Sequence, residues 1–239
     1  TARSMRGRAC VYTRNDTAVR TPMVLQTGRD AAGDMHIRVS DAGRTFVAMG
    51  DEAPLDPKLR YPASRGRGEV TAYNIAVIRL PFEEGCMIPE GTEIAVISNA
   101  YELRGDFRKA VSQISAIRES AGHGVLLVAP GLAEPLTMAI YVYMGIDVFD
   151  DSLPRVLGAE GIGTYPEGNA DRGEDSVSEN ISEINRECSK VRMFLASGRL
   201  RELVDQRAPS SPSSVAMLRV SDDVCYEYQE EASQVTGTR

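Results

Sequence analysis

The chain is poor in the residues from which metal sites and disulfide frameworks are built. Its 239 residues include four cysteines and two histidines, with no C-x-x-C pair. A zinc site of the usual kind needs closely spaced thiolates or a histidine pair. We therefore predict no metal, no cofactor and no disulfide, with reduced thiols as in the cytoplasm. The residues concerned are Cys10, Cys86, Cys188, Cys225, His36 and His123.

Long apolar runs and an excess of positive charge are also lacking. No run approaches the roughly 18 residues that cross a bilayer, and the first 25 residues hold no signal-peptide core. We therefore expect a cytoplasmic protein without a membrane partner. The net charge of −7 and the pI near 5.0 argue against a uniformly basic coat for nucleic acid. A local basic patch is compatible with that charge, so an RNA partner is not excluded.

What the chain does have is enough apolar sequence for a substantial core. Hydrophobic residues make up 42%, which predicts one large α/β domain or such a domain with a small helical appendage. Residues 6–49 contain short β-like segments separated by turn sequences such as RND and DAGR. Residues 51–69, with three prolines, predict a long surface loop. The segments VTAYNIAVIRL and IAVIS (Ile94–Ser98) then predict further strands.

The stretch GDFRKAVSQISAIRESAGHG predicts a helix with defined ends. Asp106 is a good N-cap, apolar residues recur at steps of three and four, and Gly122 and Gly124 end the pattern. VLLVAP (Val125–Pro130) is a short apolar run typical of a strand buried on both faces. Strand, helix and strand together predict a parallel βαβ unit.

A second unit follows and ends in a cluster of acids. Pro135 begins the predicted helix LTMAIYVYMG, and IDVFD is the next strand. We expect Asp147 and Asp150 at the carboxyl end of this strand, where ligands bind in barrels and open α/β sheets. The alternative is that these acids and Asp151 only solvate a loop and form a turn.

Resemblance to a family makes the prediction more specific. The block LLVAPGLAEPLTMAIYVYMGIDVFDDSLPRVLGAEGIGTYPEG resembles the late barrel segment of tRNA-guanine transglycosylases. The segments APGLA, VYMGIDVFDDS, TYPEG and LPFEEG are closer to the transglycosylase-like N-terminal part of archaeosine synthases. LASGRLRELVDQR is similar to the helical segment after the family's zinc loop.

This resemblance runs from Leu80 to Tyr228 and implies a fold. We expect an α/β protein with an abridged TIM-barrel-like domain over residues 1–177, a C-terminal helical segment over 178–232 and a disordered tail over 233–239.

The same resemblance implies site residues. Asp150 stands where the transglycosylases have the aspartate that attacks the ribose carbon and displaces the base, which requires an ionised and well-positioned carboxylate. Asp147 and Asp151 are expected to share this catalytic pocket. Gly131 and Leu132, in the preceding turn, are expected to bind the base.

The chain also departs from the family pattern. VSDAGR (39–44) matches the early Asp-Ser-Gly motif poorly, and the Gly-Gly-Leu base-recognition loop is missing. NADRGEDSV stands where the family has its C-x-C-x-x-C zinc cluster, and Glu179, ahead of Asn180, aligns with the closing ligand of the family's His-Asn pair. We therefore expect the family's zinc site to be lost and base exchange to be the least favoured activity.

Archaeosine synthases, as the resemblance implies, act after base exchange. They add lysine or a related amine to the nitrile of 7-cyano-7-deazaguanine in the D-loop of tRNA. Their Lys-Pro-Tyr signature and RNA-binding PUA domain lie beyond the barrel-like part, and no Lys-Pro-Tyr occurs here. We therefore expect a subunit of a split synthase, with tRNA and a second subunit carrying the signature and the PUA domain as partners. A truncated chain also fits, and a non-catalytic scaffold that binds the active subunit and tRNA is the alternative function.

The helical region 179–207 is locally basic. Lys190, Arg192, Arg199 and Arg201 are predicted to contact tRNA phosphates. Acidic residues are interleaved with them, so an ion-paired, solvated helix is the alternative. Cys188 lies near two of these cations but has no histidine partner, which favours a packed cysteine over a reactive one.

Overall fold

A computed structural model of the chain describes residues 2–4, 6–14, 17–28, 35–39, 45–49, 75–83 and 85–224. The strands are β1 (Ala2–Ser4), β2 (Gly7–Ala9), β3 (Val11–Arg14), β4 (Thr17–Arg20), β5 (Met23–Gly28), β6 (Met35–Val39), β7 (Thr45–Met49), β8 (Ile75–Ile78), β9 (Ile94–Ile97), β10 (Leu126–Val128), β11 (Val148–Asp150), β12 (Ile162–Tyr165) and β13 (Gly168–Asp171). The helices are α1 (Phe107–Ala121), α2 (Pro135–Met144), α3 (Ser152–Ala159), α4 (Val177–Ala196), α5 (Leu200–Arg207) and α6 (Pro212–Val224), with 3-10 turns at Ala100–Leu103 and Ala208–Ser210.

A mostly parallel sheet lies at the centre. Within the described residues its strand order is β7-β6-β5-β11-β10-β9-β8, and β7 is antiparallel to its neighbour. The neighbouring pairs from β6 to β8 are parallel. The predicted α/β class and both parallel crossovers, β9-α1-β10 and β10-α2-β11, are thus confirmed. The described strands form an open row, so the closed barrel stays a prediction.

The first crossover helix forms as its sequence predicts. The side chain of Asp106 accepts hydrogen bonds from the backbone N–H groups of Arg108 (3.1 Å) and Lys109 (3.0 Å), which satisfies two donors at the start of α1. Gly122, with φ of 64°, ends the helix in a backbone conformation that residues other than glycine rarely adopt. The apolar positions of α1 face the sheet and are buried.

The two faces of the sheet have different coverings. Alternate strand residues such as Leu127 and Phe149 pack into a large cluster with the helices. The residues between them, such as Val128 and Val148, pack into a smaller cluster with Val19 of the β3–β4 hairpin. The period of two along a strand produces this division, so every polar residue on a strand belongs to one face or the other.

The C-terminal helices belong to the same core as the sheet. Ile184 of α4, Leu203 of α5 and Met217 of α6 are buried in the helix-side cluster. The chain from Val177 to Val224 is mostly helical, and the predicted division into domains stays a prediction. The predicted tail at 233–239 and the predicted loop at 51–69 lie outside the described residues. No helix in the described part of the chain is long and apolar enough to cross a membrane.

Candidate functional site

Asp150 lies at the carboxyl end of β11, as predicted. Its side chain is 3% exposed, and its Oδ1 accepts a hydrogen bond of 2.7 Å from the backbone N–H of Gly131, in the turn after β10. The Thr27 hydroxyl lies 3.5 Å from Oδ2, too far for a strong hydrogen bond. One oxygen of this carboxylate is therefore firmly held, and the other has weaker partners.

Burial raises the pKa of the Asp150 carboxyl above its ordinary value, and the neighbouring charge of Asp151 acts in the same direction. Hydrogen bonds from Gly131, Ser152 and Thr27 oppose the shift but do not cancel it. A carboxyl with a raised pKa exchanges its proton closer to neutral pH, which suits a group that gives and takes protons.

Asp151 is buried beside it but has a different role in the geometry. Its Oδ1 accepts a hydrogen bond of 2.8 Å from the backbone N–H of Thr27, and its Oδ2 accepts one of 2.8 Å from Arg155. Both oxygens are thus engaged within the protein. The arrangement fastens the end of β5 to the start of α3 and favours the turn-forming alternative for this residue.

Asp147 was expected at the carboxyl end of the strand, and that expectation is wrong. It precedes β11 and is 1% exposed. Arg8 donates to both its oxygens (2.7 and 2.8 Å), Arg118 donates at 2.7 Å, and the Leu127 N–H donates at 2.9 Å. Two residues lie between Asp147 and Asp150, and the three steps from one to the other cover about 10 Å of extended chain. Asp147 therefore belongs to a buried structural ion-pair network.

The protonation state of Asp147 agrees with this assignment. Burial alone would raise the pKa of its carboxyl, but the charges and hydrogen bonds of Arg118 and Arg8 lower it below the ordinary value. Arg118 also donates to the carbonyls of Gly122, Val125 and Gly145. The network joins the N-terminal segment, the end of α1 and the amino ends of β10 and β11.

The two residues predicted to bind the base have different surroundings in the structure. Gly131 has φ of 75°, and a Cβ there would lie 3.1 Å from the Cβ of Tyr101, so both conformation and close packing favour glycine. Its N–H points to Asp150. Leu132 is fully buried in the helix-side core, so the expectation of a base contact is wrong for its side chain.

The residue that sequence reasoning missed is Tyr101. It lies in the 3-10 turn that follows β9, packs its backbone and Cβ against Gly131, and is 60% exposed. An exposed aromatic ring next to the turn that holds Asp150 can stack on a base. Only its position after a parallel strand could have indicated it, because its contact with Gly131 spans thirty residues of sequence.

Glu134, at the start of α2, joins the chain segments around the carboxyl ends of the parallel strands. Its Oε1 accepts a hydrogen bond of 2.7 Å from Asn169 in β13 and lies 3.6 Å from the Arg104 guanidinium. Three chain segments therefore meet at one partly buried carboxylate: the turn after β9, the start of α2 and the β12–β13 hairpin. Their connection fixes the surroundings of Tyr101 and Gly131.

The cations predicted to bind tRNA are not equivalent. Arg199 pairs with Glu202, and Arg201 pairs with Asp205 and Asp222. The ion-paired alternative is therefore confirmed for these two. Arg192 instead donates to the Pro22 carbonyl at 2.9 Å and to the Ser189 hydroxyl at 3.1 Å. Lys190, on the same helix, is partly exposed.

The β12–β13 hairpin, in the region where the resemblance implies a zinc loop, is fastened by the side-chain amide of Asn180. Asn180 accepts a hydrogen bond of 2.8 Å from the Thr164 N–H and donates to the carbonyls of Pro154 (3.1 Å) and Ile162 (2.8 Å). Glu179 pairs with Arg172 at 3.5 Å. Among the residues that the structure describes, no group of three or more His, Cys, Asp or Glu side chains could hold a metal ion.

Cys188 is a packed residue, as the sequence favours. It is 1% exposed, its thiol donates to the Pro22 carbonyl at 3.3 Å, and burial raises the pKa of the thiol to about 11. The neutral thiol is the species present at physiological pH, so this cysteine is not a nucleophile.

Comparison with known proteins gives distant relatives. No family model matches the chain. It is 28% identical to archaeosine synthase subunit alpha of Thermoplasma acidophilum over 64% of this chain and 29% of that protein. It is 25% identical to archaeosine synthase of Haloferax volcanii over 81% of this chain and 39% of that protein. For archaeosine synthase subunit alpha of Methanosarcina acetivorans the identity is 23%, over 89% and 43% respectively. The chain thus spans less than half the length of each.

Proposed function

We propose that this chain is a subunit of an archaeosine synthase-like, tRNA-modifying transferase, and that the strand end around Asp150 binds the reacting groups. The observation that carries the proposal is the buried Asp150 carboxylate, held by the Gly131 N–H at the carboxyl end of a parallel strand. Similarity to proteins named archaeosine synthase supports the tRNA-modifying role. The fold supports the place of the site, since ligands bind at this end of parallel sheets.

The reaction proposed is addition of lysine or a related amine to the nitrile of 7-cyano-7-deazaguanine in tRNA. The amine nitrogen forms a bond to the nitrile carbon, the C≡N bond becomes C=N, and one proton moves from the amine to the nitrile nitrogen. Nothing leaves, so the product is an amidine. Asp150 serves as the carrier of that proton, for which its raised pKa is suited.

We assign recognition of the base to Tyr101, in the turn after β9. Tyr101 offers an exposed ring beside Gly131, and stacking on an aromatic ring binds a base of any sequence. Tyr101 thereby takes the place that Leu132 was expected to fill. The order of the described strands is compatible with the predicted barrel, because β11, the last parallel strand among them in sequence, lies beside β5, the first. A barrel closes in that order.

The partners proposed are tRNA and a second subunit that carries the Lys-Pro-Tyr signature and a PUA domain. Two of the relatives are named as the alpha subunit of their synthase, and each relative extends well beyond the matched part. A second candidate function is a scaffold without a catalytic residue. It is favoured by the engagement of Asp147 and Asp151 in structural contacts, which leaves Asp150 as the only catalytic candidate of the three.

Transfer of labelled lysine to tRNA tests the function. The chain and its candidate partner are incubated with tRNA that carries 7-cyano-7-deazaguanine, and each protein is omitted in turn. We expect label in the tRNA only when both proteins are present, and none when unmodified tRNA replaces the substrate. Full labelling without this chain would contradict the proposal, as would labelling of unmodified tRNA.

A further inference from the structure

An open cleft lies between the β4–β5 turn and α4, away from Asp150. Its volume is about 390 Å³, within the range of small-ligand sites. Met23, which lines it, begins β5, whereas Thr27 near the other end of that strand contacts Asp150. The lining residues are Ala18, Val19, Arg20, Met23, Val24, Asn185, Cys188 and Arg192.

The charge of this cleft is unusual for the protein. Among the residues that the structure describes, two arginines line it and no carboxylate does, although the chain as a whole has a net charge of −7. Other arginines of the helical region are paired with acids: Arg186 with Glu183, Arg199 with Glu202, Arg201 with Asp205 and Asp222, and Arg207 with Glu187. Within the described part of the chain, the cleft therefore concentrates positive charge that no carboxylate pairs with.

Both guanidinium groups have donors to spare. Arg20 is exposed and makes no ion pair within the described residues. Arg192 uses one nitrogen on the Pro22 carbonyl and another on the Ser189 hydroxyl, both uncharged acceptors. A guanidinium has five N–H donors in a planar fork, and the bond to Pro22 fixes that fork at the cleft wall.

The two acids that precede Arg192 most closely on α4 are paired with other arginines. On α4, Glu187 is held by two hydrogen bonds from Arg207 (2.8 and 2.9 Å), and Glu183 is held by Arg186. Cys188 forms part of the floor, and burial keeps its thiol neutral. An incoming anion would thus meet two arginines, the Asn185 amide and a neutral floor.

We propose that this cleft binds a phosphate group through Arg20 and Arg192. The fork of a guanidinium matches the oxygens of a phosphate, and a guanidinium is more weakly hydrated than an ammonium, which favours arginine in phosphate sites. The source of the phosphate that we favour is the tRNA backbone, and in this respect the inference rests on the proposed function. The chemistry of the site is the same for a free phosphate.

The first arm of the test measures tRNA binding by the whole chain as a function of salt, for wild type, Arg20→Gln and Arg192→Gln. We expect weaker binding for each variant and a slope of log K against log salt that is lower by about 1 for each lost phosphate contact. Arg186→Gln is the matched control, since it removes an exposed and paired arginine from the same helix; it should leave the slope unchanged. Arg192→Lys keeps the positive charge at this position but lacks the planar fork of donors. Thermal melts of each variant are the check that it folds.

The second arm uses inorganic phosphate alone. Phosphate should raise the melting temperature of the wild type above that in chloride at equal ionic strength, and the double variant of Arg20 and Arg192 should lose this gain. Loss in the second arm with unchanged tRNA binding would support the site with free phosphate as its ligand. The inference would be overturned if both single variants bound tRNA as the wild type does and the double variant kept the full phosphate effect on melting temperature. If lysine transfer fails but phosphate still raises the melting temperature of the wild type and not of the double variant, the proposed function is wrong and the phosphate site in the cleft is supported.

Discussion

Asp147 and Asp150 lie three positions apart in the sequence, yet their carboxylates lie at opposite ends of β11 and on opposite faces of the sheet. Asp147 is bound by Arg8 and Arg118 at the amino end, whereas Asp150 is bound by the Gly131 N–H at the carboxyl end. Val148 and Phe149 between them pack into different clusters, as the alternation of a strand requires. Asp147 is thus part of the framework, and Asp150 is the acid of the two that we propose for the chemistry.

Replacing Asp147 by asparagine should strongly destabilise the fold. The substitution leaves two buried guanidinium groups without their counter-charge, and breaking a buried pair in this way costs about 3–5 kcal/mol. Urea denaturation at pH 7 measures the loss in free energy of unfolding. Asp223→Asn, at an exposed position, is the control and should change it little. A loss below about 1 kcal/mol, the range of surface pairs, would contradict the assignment.

The two acids should also give opposite dependences of stability on pH. Asp147 has a lowered pKa in the folded state, so its stabilising effect is present above the unfolded value of about 3.9 and is lost as pH falls through the folded pKa. Asp150 has a raised pKa, so its ionisation costs stability as pH rises above that unfolded value. Asp150→Asn should therefore gain stability relative to wild type as pH rises above about 3.9, since the amide oxygen still accepts from Gly131. Denaturation curves across this range measure the difference, and a constant difference would contradict the raised pKa.

Gly131→Ala should damage both stability and the site. Its φ of 75° and the 3.1 Å approach of a new Cβ to Tyr101 oppose any side chain, and the conformation alone costs roughly 1–2 kcal/mol. The turn must shift to relieve the contact, which moves the N–H away from Asp150 and lowers lysine transfer. Gly198→Ala, also at positive φ (72°) but with open space around it, is the matched control. It should lose similar conformational energy and keep transfer; equal transfer by both variants would argue against the role of the Gly131 N–H.

Tyr101→Ala should weaken binding of tRNA that carries the deazaguanine, whereas Tyr101→Phe should keep most of it. Stacking of a base on an aromatic ring is worth about 1–3 kcal/mol, and phenylalanine retains the ring. Titration of modified and unmodified tRNA with each variant separates base recognition from backbone binding. The proposal requires the effect of Tyr101→Ala to be larger for modified tRNA, and an equal effect on both would exclude a specific base contact.

Local signals predicted the framework of the fold. The Asp106 cap, Gly122, the start of α2 at Pro135 and the apolar runs of β10 and β11 are where the sequence placed them. Each depends on residues close in the chain, and the parallel crossovers follow from their order. The predicted position of Asp150 holds for the same reason.

The errors concern contacts between distant residues. Asp147 was grouped with Asp150 as one acidic run, although strand alternation places residues three apart on different faces. Its partner Arg8 is 139 positions away, and no pattern in the sequence joins the two. The prediction for Leu132 failed, and Tyr101 was not predicted, because burial of the one and exposure of the other depend on how the turns after β9 and β10 pack together.

The most direct test of the central claim is single-turnover transfer of labelled lysine to deazaguanine-containing tRNA by the assembled proteins, with Asp150→Asn compared to wild type and to Asp223→Asn. Assembly, tRNA binding and thermal stability are measured on the same preparations. We predict that transfer collapses in Asp150→Asn alone while assembly and binding persist, since the amide preserves the contact with Gly131 and cannot carry the proton. Wild-type transfer by Asp150→Asn would contradict a chemical role for this carboxylate and leave the chain as a scaffold.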